Sequence, residues 1–518
     1  MSRFKRFAHS LVSGYVLLGA NVLYTLASVP LALSYLSKSE FGLWALTTQI
    51  GGFIALVELG MGGSVARILI DHKDDHASGN YGGLIQTGVW VGIVQGLLIL
   101  LVGTGLAFAL GPLLHDVPAE LQRDFKWLMI GQSAILCLSF AGRIFLYLLT
   151  AHQRFDISNY VGTANFVVGY ATMWLLLARG WGVYSFIGAQ GLGTVLSLGC
   201  NAWGCVRLKL FPRRGQWGRP TWVRFRELFA FGRDIFLFSL GGQLINASQT
   251  VLLTRFLGLD AAAVWSVCMR AYLLLLQMIY RVFDFSSTAF AEMIVRGETS
   301  HLARRFKEVV LLSASLSVAL GALFAVCNGP FVEVWTAGKM SWSPVNNLLL
   351  AVWLILCVSV HAHVGLVGQT KQFRFLRYIY FIEGLAFVGL TVLLHRFGIT
   401  GMLTISIACT LTFSLPYGLR RTREYFGLSW AELARWHRKP LVFLGWLTPV
   451  AAMAWGLTRD WPAVTELVLN GTVIGLWAVV MLPRFGLDES LQNELVERAP
   501  GWTRRGLTRL IGMKGATT

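Results

Sequence analysis

Charged and hydrogen-bonding side chains recur at helical spacing inside stretches that are otherwise apolar. Glu58 shares a face with Thr47, Gly51 and Gly62, and Arg270, Gln277, Arg281, Asp284 and Thr288 share another. Gln132, Ser139, Arg143 and Thr150 form a third face. Asn21 recurs with Gly14, Ser28 and Tyr35 at every seventh residue, and Gln243 and Asn246 follow Ser239 and precede Thr250. Lipid does not tolerate such faces, so they must turn toward a bundle interior or a water-filled cavity. Glu383, His361 and His363 are further titratable groups at depth, and histidine can relay protons near neutral pH. Each residue alone also has a packing account. Arg281 and Asp284 are three apart and could neutralise one another, and Glu58 could pair with Arg143 or Arg281. Arg143 and Arg270 lie near helix ends and could snorkel. Gln243 and Asn246 could hydrogen-bond between helices. Two histidines two residues apart point to different sides of a helix, which argues against a shared metal. It is the set, more than any one residue, that points to a lined cavity.

The elements that must position these groups are membrane helices. The chain has 518 residues, 55% hydrophobic and 14% charged, with a mean hydropathy of +0.60. A soluble chain carries about 25% charged residues. A net charge of +18 would suit nucleic acid, but the basic residues recur between apolar segments and no nucleic-acid motif occurs. All seven cysteines, at 137, 200, 205, 268, 327, 357 and 409, fall inside apolar segments without CxxC or metal-like spacing, so they read as buried hydrophobes. The basic start MSRFKRF precedes an apolar run to about residue 36, too long for a cleaved leader and suited to a first membrane helix.

Apolar segments fall near 11–36, 42–66, 82–111, 125–151, 158–178, 183–206, 232–256, 263–290, 308–328, 345–368, 375–395, 399–418, 441–457 and 463–483. Each is long enough to cross a bilayer. The sequence therefore predicts an all-α polytopic membrane protein of about 14 transmembrane helices. Lys and Arg concentrate in alternate loops, among them Arg67, Lys73, Arg154, Lys371 and Arg374. That asymmetry puts both termini on the cytoplasmic side. LGLDAAAVW at 257–265 answers LSKSEFGLW at 36–44, and ARGWGVYS at 178–185 answers HRFGITG at 395–401. Two six-helix lobes follow, related by a pseudo-two-fold along the membrane normal with a pathway between them, plus two extra C-terminal helices. The expected boundaries are 1–210 for the first lobe, 211–231 for a basic amphipathic connector and 232–420 for the second lobe. A second basic connector covers 421–440, the last two helices 441–483 and a cytoplasmic tail 484–518. Both connectors, and GWTRRGLTRLI in the tail, suit either helices at an anionic leaflet or solvated linkers.

No GxxxxGKS or GxxxxGKT, GxSxG or HExxH motif occurs, so no catalytic residue, metal site or cofactor is assigned. Energy from an ion gradient or from the cargo's own gradient fits better than nucleotide hydrolysis.

FGLWALTTQIGGFIALVELGMGGSVAR at 41–67 resembles the second helix of the polysaccharide-transporter (oligosaccharide flippase) family. LALSYLSKSE, LLTAHQRFDISNY and RGWGVYS resemble the family's first-helix exit and its later connections. The family belongs to the superfamily that also holds multidrug-and-toxin extruders and lipid II flippases. The resemblance covers most of residues 1–420 and lies in patterned helices and turns, not in an invariant site. Glu58 stands where commoner members have Asp, and fourteen helices exceed the common twelve, as the lipid II branch also does.

The resemblance implies two lobes that open alternately to each side of a bacterial inner membrane. Its cargo would be an undecaprenyl-pyrophosphate-linked oligosaccharide moved from the inner to the outer leaflet for polysaccharide, lipopolysaccharide or exopolysaccharide synthesis. Arg143, Arg270 and Arg281 would then meet the pyrophosphate, since the guanidinium fork suits phosphate. Asn21, Gln243 and Asn246 would meet sugar hydroxyls. Glu58, Asp284, Glu383, His361 and His363 would serve ion coupling, by a proton or sodium ion, or charge pairing. Membrane lipids and polysaccharide polymerase machinery are the expected partners. The rivals are an ion-coupled multidrug antiporter, whose cavity should be acidic and aromatic, and a membrane-embedded glycan polymerase or ligase, which should carry a long outside loop. A non-transporting scaffold for a glycan-assembly complex is a weaker rival.

Overall fold

The computed structural model describes residues 3–58, 79–110, 118–152, 154–370, 375–499 and 501–511, with positions 61, 65, 68, 69 and 72. Gly62, Arg67, Lys73, Lys371 and Arg374 lie outside the described residues, and at 288 only the backbone is described. Helices make up most of the described residues, and no strand occurs among them. In order they are α1 (Arg3–Tyr35), α2 (Lys38–Ile54, continued by a 3-10 turn Ala55–Glu58), α3 (Asn80–Ala109), α4 (Ala119–Ala141), α5 (Arg143–Ala151), α6 (Phe155–Ala178), α7 (Tyr184–Arg207) and α8 (Trp222–Asn246). Then follow α9 (Ser248–Arg296), α10 (Thr299–Trp335), α11 (Pro344–Gln369), α12 (Leu376–Leu393), α13 (Gly398–Thr412), α14 (Ser414–Phe426), α15 (Trp430–Thr458), α16 (Ala463–Met481), α17 (Glu489–Arg498) and α18 (Gly501–Ile511).

The described residues give 12 stretches long and apolar enough to span. One of them, Ser239–Ile294, runs 56 residues, well over twice the ~20 a crossing needs. It divides at Gly258, whose φ of 84° and ψ of 175° suit glycine alone. Uncharged until Arg207, α7 is a further helix of crossing length. The expected fourteen crossings are thereby all present as helices.

By contacts the chain forms two units, Met1–Ser266 and Val267–Thr518. Sequence reading divided the lobes at the 211–231 connector, whereas α8 and the start of α9 gather with the first unit.

In the first unit, glycines decide how close the helices come. A Cβ on Gly92 would meet the Phe140 carbonyl oxygen at 2.6 Å, and one on Gly96 the Cys137 carbonyl oxygen at 2.7 Å. Such contact replaces the hydrophobic drive that lipid cannot supply between helices. Gly96→Val should therefore cost about 1–3 kcal/mol, read as a lower melting temperature of the detergent-solubilised protein. A melting temperature equal to wild type would refute the close approach of α3 and α4.

The first connector is not a lone interfacial helix. Residues 208–221 are non-helical. Trp217 lies so close to α3 that a Cβ on Gly82 would meet its Cα at 2.7 Å, and Arg224 Nη2 donates to Asn80 Oδ1 at 2.5 Å. The rest of the connector is the start of α8. Tyr81 fastens the same end, donating to the Leu210 carbonyl at 2.9 Å.

In the second unit, α10 is the central post. Buried Val318 and Val326 pack with Phe443, Leu447 and Ile474 of α15 and α16, so the last two long helices are built into this unit. Thr458 and Asn470 tie them together, the amide donating at 2.8 Å. The second connector is the end of α14, a turn at Gly427 (φ 66°) and the start of α15, which is capped by Ser429 and Glu432. Its Leu433 and Trp436 bury against Phe306. In the tail, α17 docks on α10 by Ser490 to Glu308 (2.7 Å) and by Lys307 to Asp488 (3.3 Å).

Candidate functional site

Each unit carries its own charged centre. In the first, α2 runs into the 3-10 turn that ends on Glu58, while α4 ends at Gly142, so that Arg143 opens α5. A Cβ at position 142 would overlap Leu198 of α7 at 2.2 Å. Gly142 thus gives the Leu198 side chain room where α4 ends and Arg143 begins α5. Its Nη1 donates to Glu58 Oε2 at 2.5 Å, and the guanidinium lies 3.6 Å from the Phe140 ring centroid. Gln95 of α3 donates to the Glu58 carbonyl at 2.9 Å, and the Tyr147 hydroxyl engages both Arg143 and Glu58. The pair is about three-quarters buried, with side chains 30% and 25% exposed. Burial at that level makes the loss of either partner costly, since a charge would be left uncompensated. An arginine has five donors, so one already held by Glu58 can still offer others to an anion.

The remaining first-unit candidates are looser. Gln243 faces α2, its Oε1 lying 3.9 Å from where a Cβ on Gly52 would sit. Exposed Asn246 spends its amide on its own helix, donating to the Gly242 carbonyl at 2.9 Å. Asn21 is half-buried on α1.

In the second unit the sequence offered Arg281 as the partner of Asp284, but packing brings His361 instead. Its Nε2 lies 2.9 Å from Asp284 Oδ1. Tyr280 stacks on the imidazole at 3.7 Å with planes 5° apart, and Phe283 meets it edge-on. The Tyr280 hydroxyl in turn donates to the Cys357 carbonyl at 3.4 Å. Arg281 is exposed and, among the described residues, forms no ion pair. Arg270 lies eleven residues earlier on the same helix, half-buried and engaged. Eleven residues are about three turns, so both arginines share a face roughly 16 Å long.

His363 and Glu383 belong to the interior of this unit. His363 is fully buried, with Nδ1 2.8 Å from Thr422 Oγ1 and the ring against Phe306. Glu383 on α12 is 2% exposed and accepts from Ser414 at 3.1 Å, while its Oε2 has no partner among the described residues. The two histidines thus face different surroundings, as their spacing requires.

Sequence reading missed Gln95, Tyr147 and Tyr280. A single glutamine pair in the otherwise apolar α3 was a usable signal for Gln95. Tyr280 precedes Asp284 by four and could have been placed on its face.

The profile of the polysaccharide biosynthesis protein family matches residues 35–345, a span that contains both charged centres up to Asp284. The chain belongs to this family. A comparison with curated proteins finds no match. Among solved structures, the lipid II flippase MurJ in an inward closed conformation is similar with a TM-score of 0.65 and 10% identity, over 92% of this chain and 99% of that one. An inward-facing multidrug resistance MATE family transporter of the MOP superfamily is similar with a TM-score of 0.60 and 15% identity, over 79% and 96%. A MOP superfamily transporter from Pyrococcus furiosus, described by the reverse polarity of its binding pocket, follows at 0.51 and 14%, over 81% and 96%. The fold is the one these transporters and this flippase share, and the family is one of polysaccharide biosynthesis.

Proposed function

We propose that this chain is a flippase for undecaprenyl-pyrophosphate-linked oligosaccharide units, moving them from the inner to the outer leaflet of a bacterial inner membrane by alternating access. Arg281 is the observation that carries the reading: a cation on a membrane-spanning helix with no ion-pair partner among the described residues. A permanently charged fork kept unpaired in such a place is expensive unless an anion visits it. Arg270 shares that face, and the first unit carries a cation of its own in Arg143, tethered by Glu58. A pyrophosphate supplies the complementary charge, and family membership supports a glycan as its load.

A cation-exporting antiporter is less well served by arginines than by free carboxylates. Here Glu58 and Asp284 are each engaged. The Pyrococcus furiosus protein is an instance of pocket polarity marking a different function within the same fold. The products would enter polysaccharide, lipopolysaccharide or exopolysaccharide synthesis, with polymerase machinery downstream, both termini cytoplasmic, and a proton or sodium ion as coupling partner through His361–Asp284 or Glu383.

Alternating access makes a specific demand on the repeat. Ser39 Oγ donates to Asp260 Oδ1 at 2.6 Å across 221 residues, the same offset at which LSKSEFGLW is answered by LGLDAAAVW. Beside it, a Cβ on Gly42 would overlap the Leu259 carbonyl oxygen at 2.1 Å. Equivalent helix starts therefore touch each other, and on the outside if the basic loops are inside. With the lobes divided at the connector, where the repeat places their boundary, opening to that side parts them. Joining Ser39→Cys to Asp260→Cys by a short bifunctional thiol reagent should stop transport, with reductive release restoring it. The readout is reconstituted vesicles carrying a labelled polyprenyl-pyrophosphate oligosaccharide and an impermeant glycosidase outside. Undiminished movement of the cross-linked protein would refute the opening, and a protein inactive toward this cargo without any cross-link would refute the flippase reading.

A further inference from the structure

The end of the second unit that holds the α10–α11 and α15–α16 turns carries an open cavity of about 420 Å³. Its walls include Glu333 from α10, Trp342 and Asn347 beside and on α11, Trp455 at the end of α15, Arg459 and Glu466. Glu466 is only 8% exposed. Among the described residues its carboxylate accepts no hydrogen bond and forms no ion pair, and a second carboxylate, Glu333, lines the same cavity. One wall is preformed: Asn347 Oδ1 accepts from Asn328 at 2.7 Å and from Trp342 Nε1 at 2.8 Å. Arg459 is more exposed and pairs with Asp460 at 3.6 Å.

A carboxylate that opens into a cavity from a largely buried residue without a partner is unfavourable, and a second carboxylate on the same wall adds like-charge repulsion. A cation in the cavity would answer both. The space far exceeds that of one bare metal ion, and the indoles of Trp342 and Trp455 favour an alkylammonium, which aromatic rings attract and metal ions do not need. Arg459, with its planar fork, suits a phosphate two or three bonds further along the ligand. We propose that this cavity binds a phosphoethanolamine group, its ammonium at Glu466 and Glu333 and its phosphate at Arg459. The group could arrive as a phospholipid headgroup or as a phosphoethanolamine substituent on a glycan. This site shares no residue with the charged centres assigned to cargo transport.

The test uses the purified full-length protein in detergent. Native mass spectrometry compares retention of dioleoyl phosphatidylethanolamine with dioleoyl phosphatidylglycerol, and thermal shift follows titration with soluble phosphoethanolamine. Wild type should favour an ethanolamine-bearing ligand at least about tenfold, and Glu466→Gln should erase that preference, a loss of about 1.4 kcal/mol or more. Glu333→Gln should weaken it in the same sense. The glutamine variant is nearly isosteric and removes a buried charge, so folding does not confound it. Lipid retention with Glu466 dependence assigns the cavity to a headgroup. A thermal shift by soluble phosphoethanolamine alone, with the same dependence, assigns it to a glycan-borne group. A preference unchanged in Glu466→Gln, or no ethanolamine preference in wild type by either readout, would overturn the site.

Discussion

If the chain flips a lipid-linked glycan as proposed, Arg281→Ala should cut its export at least about tenfold, while the amount of protein in the membrane should stay at the wild-type level. The two halves of that result have separate causes. Abundance holds because Arg281 is exposed and supports no ion pair among the described residues, and substitutions away from structural features usually stay within about 0.5 kcal/mol. Export falls because a charge-assisted hydrogen bond to an anionic group is worth about 1.5–3 kcal/mol, enough for a tenfold loss. Arg281→Lys should recover only part of the activity, since an ammonium keeps the charge but not the bidentate fork. The comparison is of exported glycan per unit of immunodetected protein. Normal export at normal abundance in Arg281→Ala would remove this residue from the cargo path.

The second large effect comes from Arg143, where stability and transport can be separated by a double substitution. Arg143→Met leaves Glu58 partly buried without its cation, which should cost roughly 2 kcal/mol, less than the 3–5 of a fully buried pair because both side chains keep some solvent. Abundance and export should drop together. Adding Glu58→Gln removes the orphaned charge, and Tyr147 and Gln95 remain to satisfy the amide and the carbonyl. Abundance should then return while export does not, if Arg143 offers its other donors to the cargo. Recovery of both would make the pair purely structural. Recovery of neither would mean that the glycan path and the fold depend on a further interaction of Arg143, such as its seat on the Phe140 ring.

Hydropathy and the alternation of Lys and Arg made the fold readable from the sequence, because a bilayer forces both quantities to be periodic. Segment and helix coincide in place, but the helices overrun the expected ends, as α10 does at both ends and α15 at its start, and the reading fails around 232–263. There, helix continues past the expected loop, and only the left-handed Gly258 marks the crossing. The connectors were less legible. Their Trp and Arg content fits an interfacial helix, yet Trp217 is seated against Gly82 and Trp436 against Phe306, contacts that composition does not encode.

At the charged centres, the partner of Glu58 was among the options sequence allowed, whereas that of Asp284 was not. Arg281 is three residues from Asp284, but His361, 77 residues away, reaches it because α9 and α11 pack and Tyr280 stacks on the imidazole. Glu383 shows the same limit. Its place on an apolar helix was visible, but its hydroxyl partner Ser414 comes from the start of α14. Local spacing identifies which residues are out of place in lipid; only packing says whom they meet.

The most direct measurement of the central claim is the leaflet on which lipid-linked glycans stand in cells lacking this gene. Spheroplasts of the deletion strain would be treated with an impermeant sugar-modifying enzyme, and undecaprenyl-linked glycans extracted and weighed. The flippase reading predicts completed repeat units protected on the cytoplasmic side, released to the outer face by wild-type protein and not by Arg281→Ala. Units that reach the outer face yet stay unpolymerised, or no accumulation at all, would contradict it, the first in favour of a polymerase and the second in favour of a drug antiporter.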